Sequence, residues 1–501
     1  MNLLDKAIAS ISPQAGLKRA FARQNLQAFE KRSYDGAFQG RRTQNLLGNA
    51  TSANNEIGRG MSKLRDRARD LSRNTPHGAR MLDVLTAHVV GTGIVSSADT
   101  GGDKLDTTLN QLYADWRGTA DIEGVHVAGS DDAIMTRSMI EGGDCAMRFI
   151  NLKPSEMGER PVPLAFQLME GDQIDESRDG KVDDNRTRLG VRLGPLGQRV
   201  GYYLHKNHPS EYVAGDSLRS NFIPASEIIH MFRPLRIGQM RGVTWFAPIL
   251  LTNRDFADLM EAMIVKTRNE ASTSMFVIKE EEARMNIAGA SGDDEIKRVE
   301  ELRAGMVEYL KAGEDIKFAP LSGVGQFEQV AIANLQAMAA GIGLTYDQVS
   351  GDLRQANYSS LQAGKIEFRA LVKQIQHHVV IPQKSQPMWR KFCDQVQIAG
   401  LIKTGEPIHR MVKHRVPAVE PIDPIKDLKA DILAVRSGAI SPQKFVESHG
   451  ADWRDVMREF KQFFEASDAD ELVFDIDPRR GQMPGDGSGN GTEANSTNIN
   501  Q

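Results

Sequence analysis

The chain has 501 residues, of which 40% are hydrophobic and 26% charged, and a formal net charge of −4, which is ordinary for a soluble globular protein. That length exceeds one core and predicts roughly two to four domains. Two distant cysteines, Cys145 and Cys393, exclude a disulfide framework and a Cys-x-x-Cys zinc pattern, and neither a secretory signal nor a membrane-spanning run is expected.

The charge is uneven. Residues 1–80 hold 15 Lys and Arg against 6 Asp and Glu, so the rest of the chain is acidic. A basic segment of this kind reads either as solvated helix faces, with Asp66 and Asp70 pairing locally, or as an arm that binds nucleic-acid phosphates. Residues 1–60 are expected to be a flexible arm with one helix near Leu17 to Glu30. A helix follows from Met61 to Val90, broken at Pro76, where Thr75 is placed to cap the second part. Asp106 to Trp116 and Asp131 to Glu141 read as two shorter helices.

From Gly143 to Met231 the pattern is one of strands and turns. Residues 146–150, 164–169, 201–205 and 227–232 are the expected strands, with turn chemistry at Asp179-Gly180 and Pro195-Leu196-Gly197. A long helix is expected over 247–271, then a β-α-β pattern with strands at 274–279 and 315–319 around a charged helix, 293–312. A helix from about 326 to 340 returns the chain.

The stretch Gly341 to Ala370 reads as the end of that helix, a polar loop carrying Arg354, Gln355, Asn357 and Tyr358, and the start of another helix. This next helix, Ser359 to Ile381, is expected to stop at Pro382. Three helices close the pattern. Asp423-Pro424 and Ser441-Pro442 start the first two, Gly438 and Gly450 follow their ends, and the third runs from Asp452 to Ala466. Residues 478–501, rich in Gly, Asn, Ser and Thr, read as disordered.

Motifs for catalysis are absent. There is no Gly-x-x-x-x-Gly-Lys-Ser/Thr phosphate loop, no Gly-x-Ser-x-Gly elbow and no His-Glu-x-x-His helix. His205 and His208 would form a metal pair only if both faced one site, and they read instead as a strand end running into Pro209. His377 and His378, adjacent on a helix, point apart. The acids Glu280, Glu281, Glu282, Asp293 and Asp294 read as turn and helix-start residues, with metal-dependent nuclease chemistry as the competing reading. No catalytic residue, metal or cofactor is assigned.

Three segments carry a family resemblance. They are Ile223–His230 continuing through Arg236–Gly242, then Val349–Leu353 with Asn357–Leu361, and Val416–Glu420 followed by Asp423-Pro424. Arg69–Pro76 adds a fourth. In order and spacing they resemble the portal proteins of lambda-like tailed phages over roughly residues 60 to 465.

The resemblance implies an α+β portal fold with a β-rich wing, paired stem helices, a small α/β clip and a helical crown. Its boundaries would be an arm at 1–60, wing 61–246, stem helix 247–271, clip 272–325, stem helix 326–342 and tunnel loop 343–360. A wing helix and return at 361–422, a crown at 423–466 and a disordered tail at 467–501 complete it.

It further implies a dodecameric ring at one capsid vertex, through which double-stranded DNA is packaged and ejected without base recognition. Arg354, Gln355, Asn357 and Tyr358 would line the channel, although Asn357 and Tyr358 equally read as a cap of the following helix. The clip residues Glu280, Glu281, Asp293, Asp294, Lys297 and Arg298 would meet the large terminase subunit and head-completion proteins. Capsid or scaffold protein is a further implied partner, a membrane is not, and the virion, assembled in the host cytoplasm, is the implied location. Another virion adaptor or scaffold protein, or a nuclease, stays open as an alternative.

Overall fold

The computed structural model describes residues 12–14, 18, 50–182, 185–211, 219–272, 276–279, 314–317, 324–354, 358–405, 407–421, 423–472 and 474, with backbone alone at 269–272, 276–279, 314–317, 324–326 and 358–361. Apart from Lys18, the helix expected near 17–30 lies outside the described residues, as do the helix expected over 293–312 and the tail from 478. The chain divides between Glu56 and Ile57 into an amino-terminal unit and a main unit, Ile57–Gln501.

Helix α1 spans Ala53–Asn74 and α2 spans Pro76–Val90. The first begins inside the segment expected as a flexible arm, because Ser52 Oγ accepts the backbone N–H of Asn55 at 3.3 Å and starts the helix there. The break falls where Pro76 requires it. Thr75 is extended, and its hydroxyl accepts the Gly78 N–H at 3.2 Å. On α2, Met81, Leu82, Leu85 and Val89 are buried, as their helical spacing demands.

After β1 (Val95–Ala98) come α3 (Asp103–Thr119) and α4 (Ser130–Gly142), then β2 (Asp144–Asn151) and β3 (Leu164–Glu170). A meander follows: β4 (Gly180–Val182), β5 (Asn185–Arg188), β6 (Val191–Leu193), β7 (Arg199–Leu204) and β8 (Asn221–Pro224), ending in β9 (Ile228–Phe232). Strands β4 to β8 form one antiparallel sheet in chain order, and β2 sits between β3 and β9 in another.

Alternation along β2 explains why these sheets stack. Cys145, Met147 and Phe149 enter a core built with the helices, while Ala146 on the opposite face enters a second core with Met169, Val191, Leu193, Tyr202 and Ile223. The three-stranded sheet is thus buried on both sides, between helices and the meander.

Helix α5 (Leu250–Ser272) leads to β10 (Phe276–Lys279), which pairs antiparallel with β11 (Glu314–Lys317), and α6 (Val324–Ile342) returns. Next come α7 (Tyr346–Ser350) and α8 (Tyr358–Ile375).

Pro382 does not end the helical run. The chain continues through a π-helical stretch, Gln376–Ser385, directly into α9 (Gln386–Ile398). The wider π turn makes room for the proline ring and needs no N–H from it, and Gln386 bonds back five residues to the Ile381 carbonyl. A buried ion cluster holds the turn in place. Lys384 Nζ lies 2.7 Å from Asp131 and also bonds Asp132, and Arg117 reaches Asp131 at 2.7 Å.

Strand β12 (Val412–Arg415) then crosses back to pair with β1, placing His414 opposite Ser96. The last helices are α10 (Pro424–Arg436), α11 (Pro442–Ser448) and α12 (Trp453–Ala469), with Asp423, Ser441 and Asp452 each accepting a first-turn N–H. Helix α12 therefore takes in 467–469, which had been expected to belong to the tail. Among the described residues, no helix is long and apolar enough to cross a membrane.

Both sheets meet at one carboxylate. Asp144 is fully buried and bonds Arg241, Arg65 at 3.3 Å, His230 Nε2 at 3.2 Å and the Gly242 N–H at 3.2 Å. Arg241 in turn donates to the carbonyls of Gly171 at 2.6 Å, Leu189 at 3.0 Å and Ile174 at 3.3 Å. Burial alone would raise the Asp144 carboxyl, but the Arg241 charge, the His230 hydrogen bond and the Arg65 charge hold it well below the usual carboxylate range. Removing one partner of such a group leaves a buried uncompensated charge. Asp144→Ala is therefore expected to cost about 3–5 kcal/mol, read as a large fall in melting temperature and soluble yield. A variant as stable as the native chain would contradict this.

Burial lowers His230 and His414 from 6.5 to about 4, so both are neutral in the folded chain at pH 7. The unfolded chain binds more protons between those values, so stability falls as pH drops from about 6.5 towards 4. Asp144 acts in a separate window: its contribution is complete above 3.8 and lost only below it. Melting temperature is expected to decline from pH 7 to 4.5, and less steeply in His414→Gln. Parallel declines would remove His414 from the account.

Candidate functional site

The polar stretch after α6 is more ordered than a plain loop. Ile342 and Leu344 are buried at the helix end, and the Gly343 and Leu344 N–H groups both return to the Ala339 carbonyl, at 3.0 and 2.9 Å. A Cβ at Gly341 would overlap Ile249 Cγ2, so glycine lets the end of α6 lie against the residue before α5. Thr345 and Gln348 then form a capping box, and the turn α7 that they start was not expected from sequence.

Helix α7 is anchored by a buried Val349, and Arg80 Nε on α2 donates to the Gln348 carbonyl at 3.1 Å. Gly351 ends it in the left-handed conformation, at φ 71°. The chain then turns outward. Asp352 N–H donates to Ser350 Oγ at 3.1 Å, and Asp352 Oδ1 accepts the Arg354 N–H at 3.0 Å, forming an Asx turn.

Arg354 is the one channel candidate whose side chain is described. It is 75% exposed, at the tip between α7 and α8. Its guanidinium makes a two-pronged pair with Asp352, Nε to Oδ1 at 2.9 Å and Nη2 to Oδ2 at 2.8 Å, and reaches Glu328 on α6 at 3.5 Å. The Arg354 hydrogen bond lowers Asp352 to about 2, and the same pairing raises Arg354 further, so both are charged at neutral pH. Exposed and screened by water, this pair steers the side chain more than it stabilises the fold.

Tyr358 is the first residue of α8, with only its backbone described, and Gln355 and Asn357 lie outside the described residues. The clip candidates Glu280, Glu281, Asp293, Asp294, Lys297 and Arg298 also lie outside them, on the segment joining β10 to β11. Sequence reasoning missed both partners of Arg354. The Asp-x-Arg spacing was a usable signal for Asp352, whereas nothing local points to Glu328.

The competing metal readings separate geometrically. His205 Nε2 lies 3.7 Å from Asp175, and His208 Nδ1 is 2.6 Å from Ser210 Oγ, so the two rings serve different partners. His208 does approach Glu170 and Asp172, at 3.6 and 3.8 Å. Those two carboxylates also pair with the Arg69 guanidinium. His377 and His378 are both exposed on the π stretch.

Comparison with known proteins bears on this frame. Residues 39–376 match the family described as phage portal protein, lambda family. The chain is 24% identical over 349 residues to the probable portal protein of Halomonas phage phiHAP-1, covering 66% of each chain. It is 21% identical over 443 residues to portal protein B of Escherichia phage lambda, covering 78% of this chain and 81% of that one. Among solved structures, a chain from the virion of a native gene transfer agent particle aligns with a TM-score of 0.47 and 14% identity, over 77% of this chain and 91% of that one. With most of its length, including α1 to α8, inside the family match, this chain belongs to the lambda family of phage portal proteins.

Proposed function

We propose that copies of this chain form a ring at one capsid vertex and that DNA is packaged and ejected through its centre, with the turn around Arg354 facing the passing duplex. Family membership supports the portal role. The observation that carries the site is Arg354 itself: a 75%-exposed guanidinium at a polar tip, with fixed carboxylates beside it.

That arrangement suits a surface over which DNA must slide. A phosphate attracts Arg354 only by competing with Asp352 and Glu328, so each contact is weak, exchangeable and indifferent to base sequence. Repeated around a ring, such contacts centre the duplex without holding it. The acidic balance of the rest of the chain works in the same direction.

The pair β10–β11 and the segment between them form the proposed docking point for the terminase motor during packaging and for head-completion proteins afterwards. Glu280, Glu281, Asp293, Asp294, Lys297 and Arg298 are its proposed contact residues. The proposed ring would sit in the virion, with capsid or scaffold protein as its proposed neighbour.

Two variants test the channel site. Arg354→Ala is expected to assemble normally but to protect much less DNA from nuclease in a packaging reaction; native yields would sink the assignment. Asp352→Asn releases the guanidinium. Assembled rings of this variant are expected to bind DNA more tightly, with a steeper dependence of log K on log salt, by up to about 0.9 for each added phosphate contact. A slope equal to the native one would show that Asp352 does not compete with DNA.

A further inference from the structure

Helices α10 to α12 have apolar faces but no core. Among the described residues, no apolar side chain beyond Ile408 is buried; α10 and α11 contain no buried residue, and α12 only Ser467. Burial among themselves therefore does not hold these helices in place. Polar clasps tie them to the body: Arg415 to Asp452, Arg454 to Asp106 at 2.9 Å and Asp99 at 3.3 Å, and Lys413 to Glu447 at 4.0 Å.

The two outer helices are nonetheless patterned for burial. On α10, Ile425, Leu428, Ile432 and Leu433 fall at i, i+3, i+7 and i+8, and Ile425 and Leu433 are 68% and 63% exposed. On α12, Trp453, Val456, Met457, Phe460, Phe463 and Phe464 form a second stripe, with Met457, Phe460 and Phe463 exposed. Its rings are arranged against one another: Phe460 stacks on Phe464 at 5.7 Å, and Phe463 meets Phe464 at 5.5 Å and Phe474 at 5.2 Å. Apolar surface on this scale marks an interaction site.

Charge identifies the occupant. Helix α10 carries Lys426, Lys429 and Arg436 against Asp427 and Asp431, a net charge of +1 over the whole helix. Helix α12 carries Arg454, Arg458 and Lys461 against Asp455, Glu459, Glu465 and Asp468, a net charge of −1. One chain thus displays two apolar stripes on helices of opposite net charge. Pairing like with like would oppose equal charges, whereas pairing α10 of one copy with α12 of the next joins unlike charges and covers both stripes.

We propose that the carboxy-terminal helices are a head-to-tail contact between copies of this chain, with the α10 stripe of one copy seated on the α12 stripe of its neighbour. The contact rests on the ring reading and adds to it a specific surface. It also accounts for a helical module without a core, since each copy's apolar faces are covered only in the assembly.

Cysteine cross-linking on the full chain tests this directly. The native thiols are silent. Cys145 and Cys393 are both buried, and burial pushes Cys145 up and Cys393 up to about 12. Leu433→Cys and Phe460→Cys chains with different tags would be co-expressed, purified through both tags and treated with a short bismaleimide. The expected result is a cross-linked dimer containing both tags, with none when either variant is expressed alone. Dimers from either variant alone would overturn the head-to-tail arrangement. No dimer from the mixture while imaging shows rings would overturn this contact and leave the ring reading standing. No dimer and no ring would sink both.

Discussion

The fold depends on the buried carboxylate of Asp144. It lies where α4 passes into β2, and its partners arrive from three separate places: Arg65 from α1, His230 from β9, and Arg241 and Gly242 from the segment leading to α5. Arg241 extends the reach to Gly171, Ile174 and Leu189, so a single guanidinium locks the meander onto the three-stranded sheet. Every group in this cluster is out of water, so each position is costly to leave unpartnered. Specificity of arrangement, more than net stability, is what such a cluster supplies: a sheet displaced by one residue would strand a charge.

From this anchor the rest of the frame follows. The three-stranded sheet and the helices before it share one core with α8, the π stretch and α9, which pack through Val372, Ile375, Val379, Val380, Trp389 and Phe392. The second ion cluster, Lys384 with Asp131 and Asp132 and Arg117 with Asp131, fixes the helical run at the turn where Pro382 would otherwise break it. The tip bearing Arg354 is thus held at both ends, by the end of α6 with α7 on one side and by the start of α8 on the other. A short exposed turn on a packed scaffold suits the guide role proposed for it, because the scaffold sets its position and the turn supplies its chemistry.

Much of this was legible in the sequence wherever the cause is local. Thr75-Pro76, Asp423-Pro424 and Ser441-Pro442 announce helix starts because cap and helix are neighbours in the chain, and the alternation in 146–150 and 164–169 announces buried strands. The failures share the opposite property. Pro382 read as a stop because the contacts that carry the helix past it, Lys384 to Asp131 and Asp132, lie some 250 residues away in the chain. The pairing of β1 with β12 joins two short segments, VSSA and VKHR, that lack an apolar period. At the tip, the residue types were visible but their electrical state was not. Arg354 reads as a free cation until Asp352 and Glu328 are placed beside it.

The Arg354 tip is proposed to face the hole of a ring. A density map of the assembled full chain with DNA threaded through it tests this most directly. The expected result is a closed ring with residue 354 of every copy on the inner wall, pointing at the duplex. A ring with residue 354 on its outer surface, or buried between copies, would contradict it.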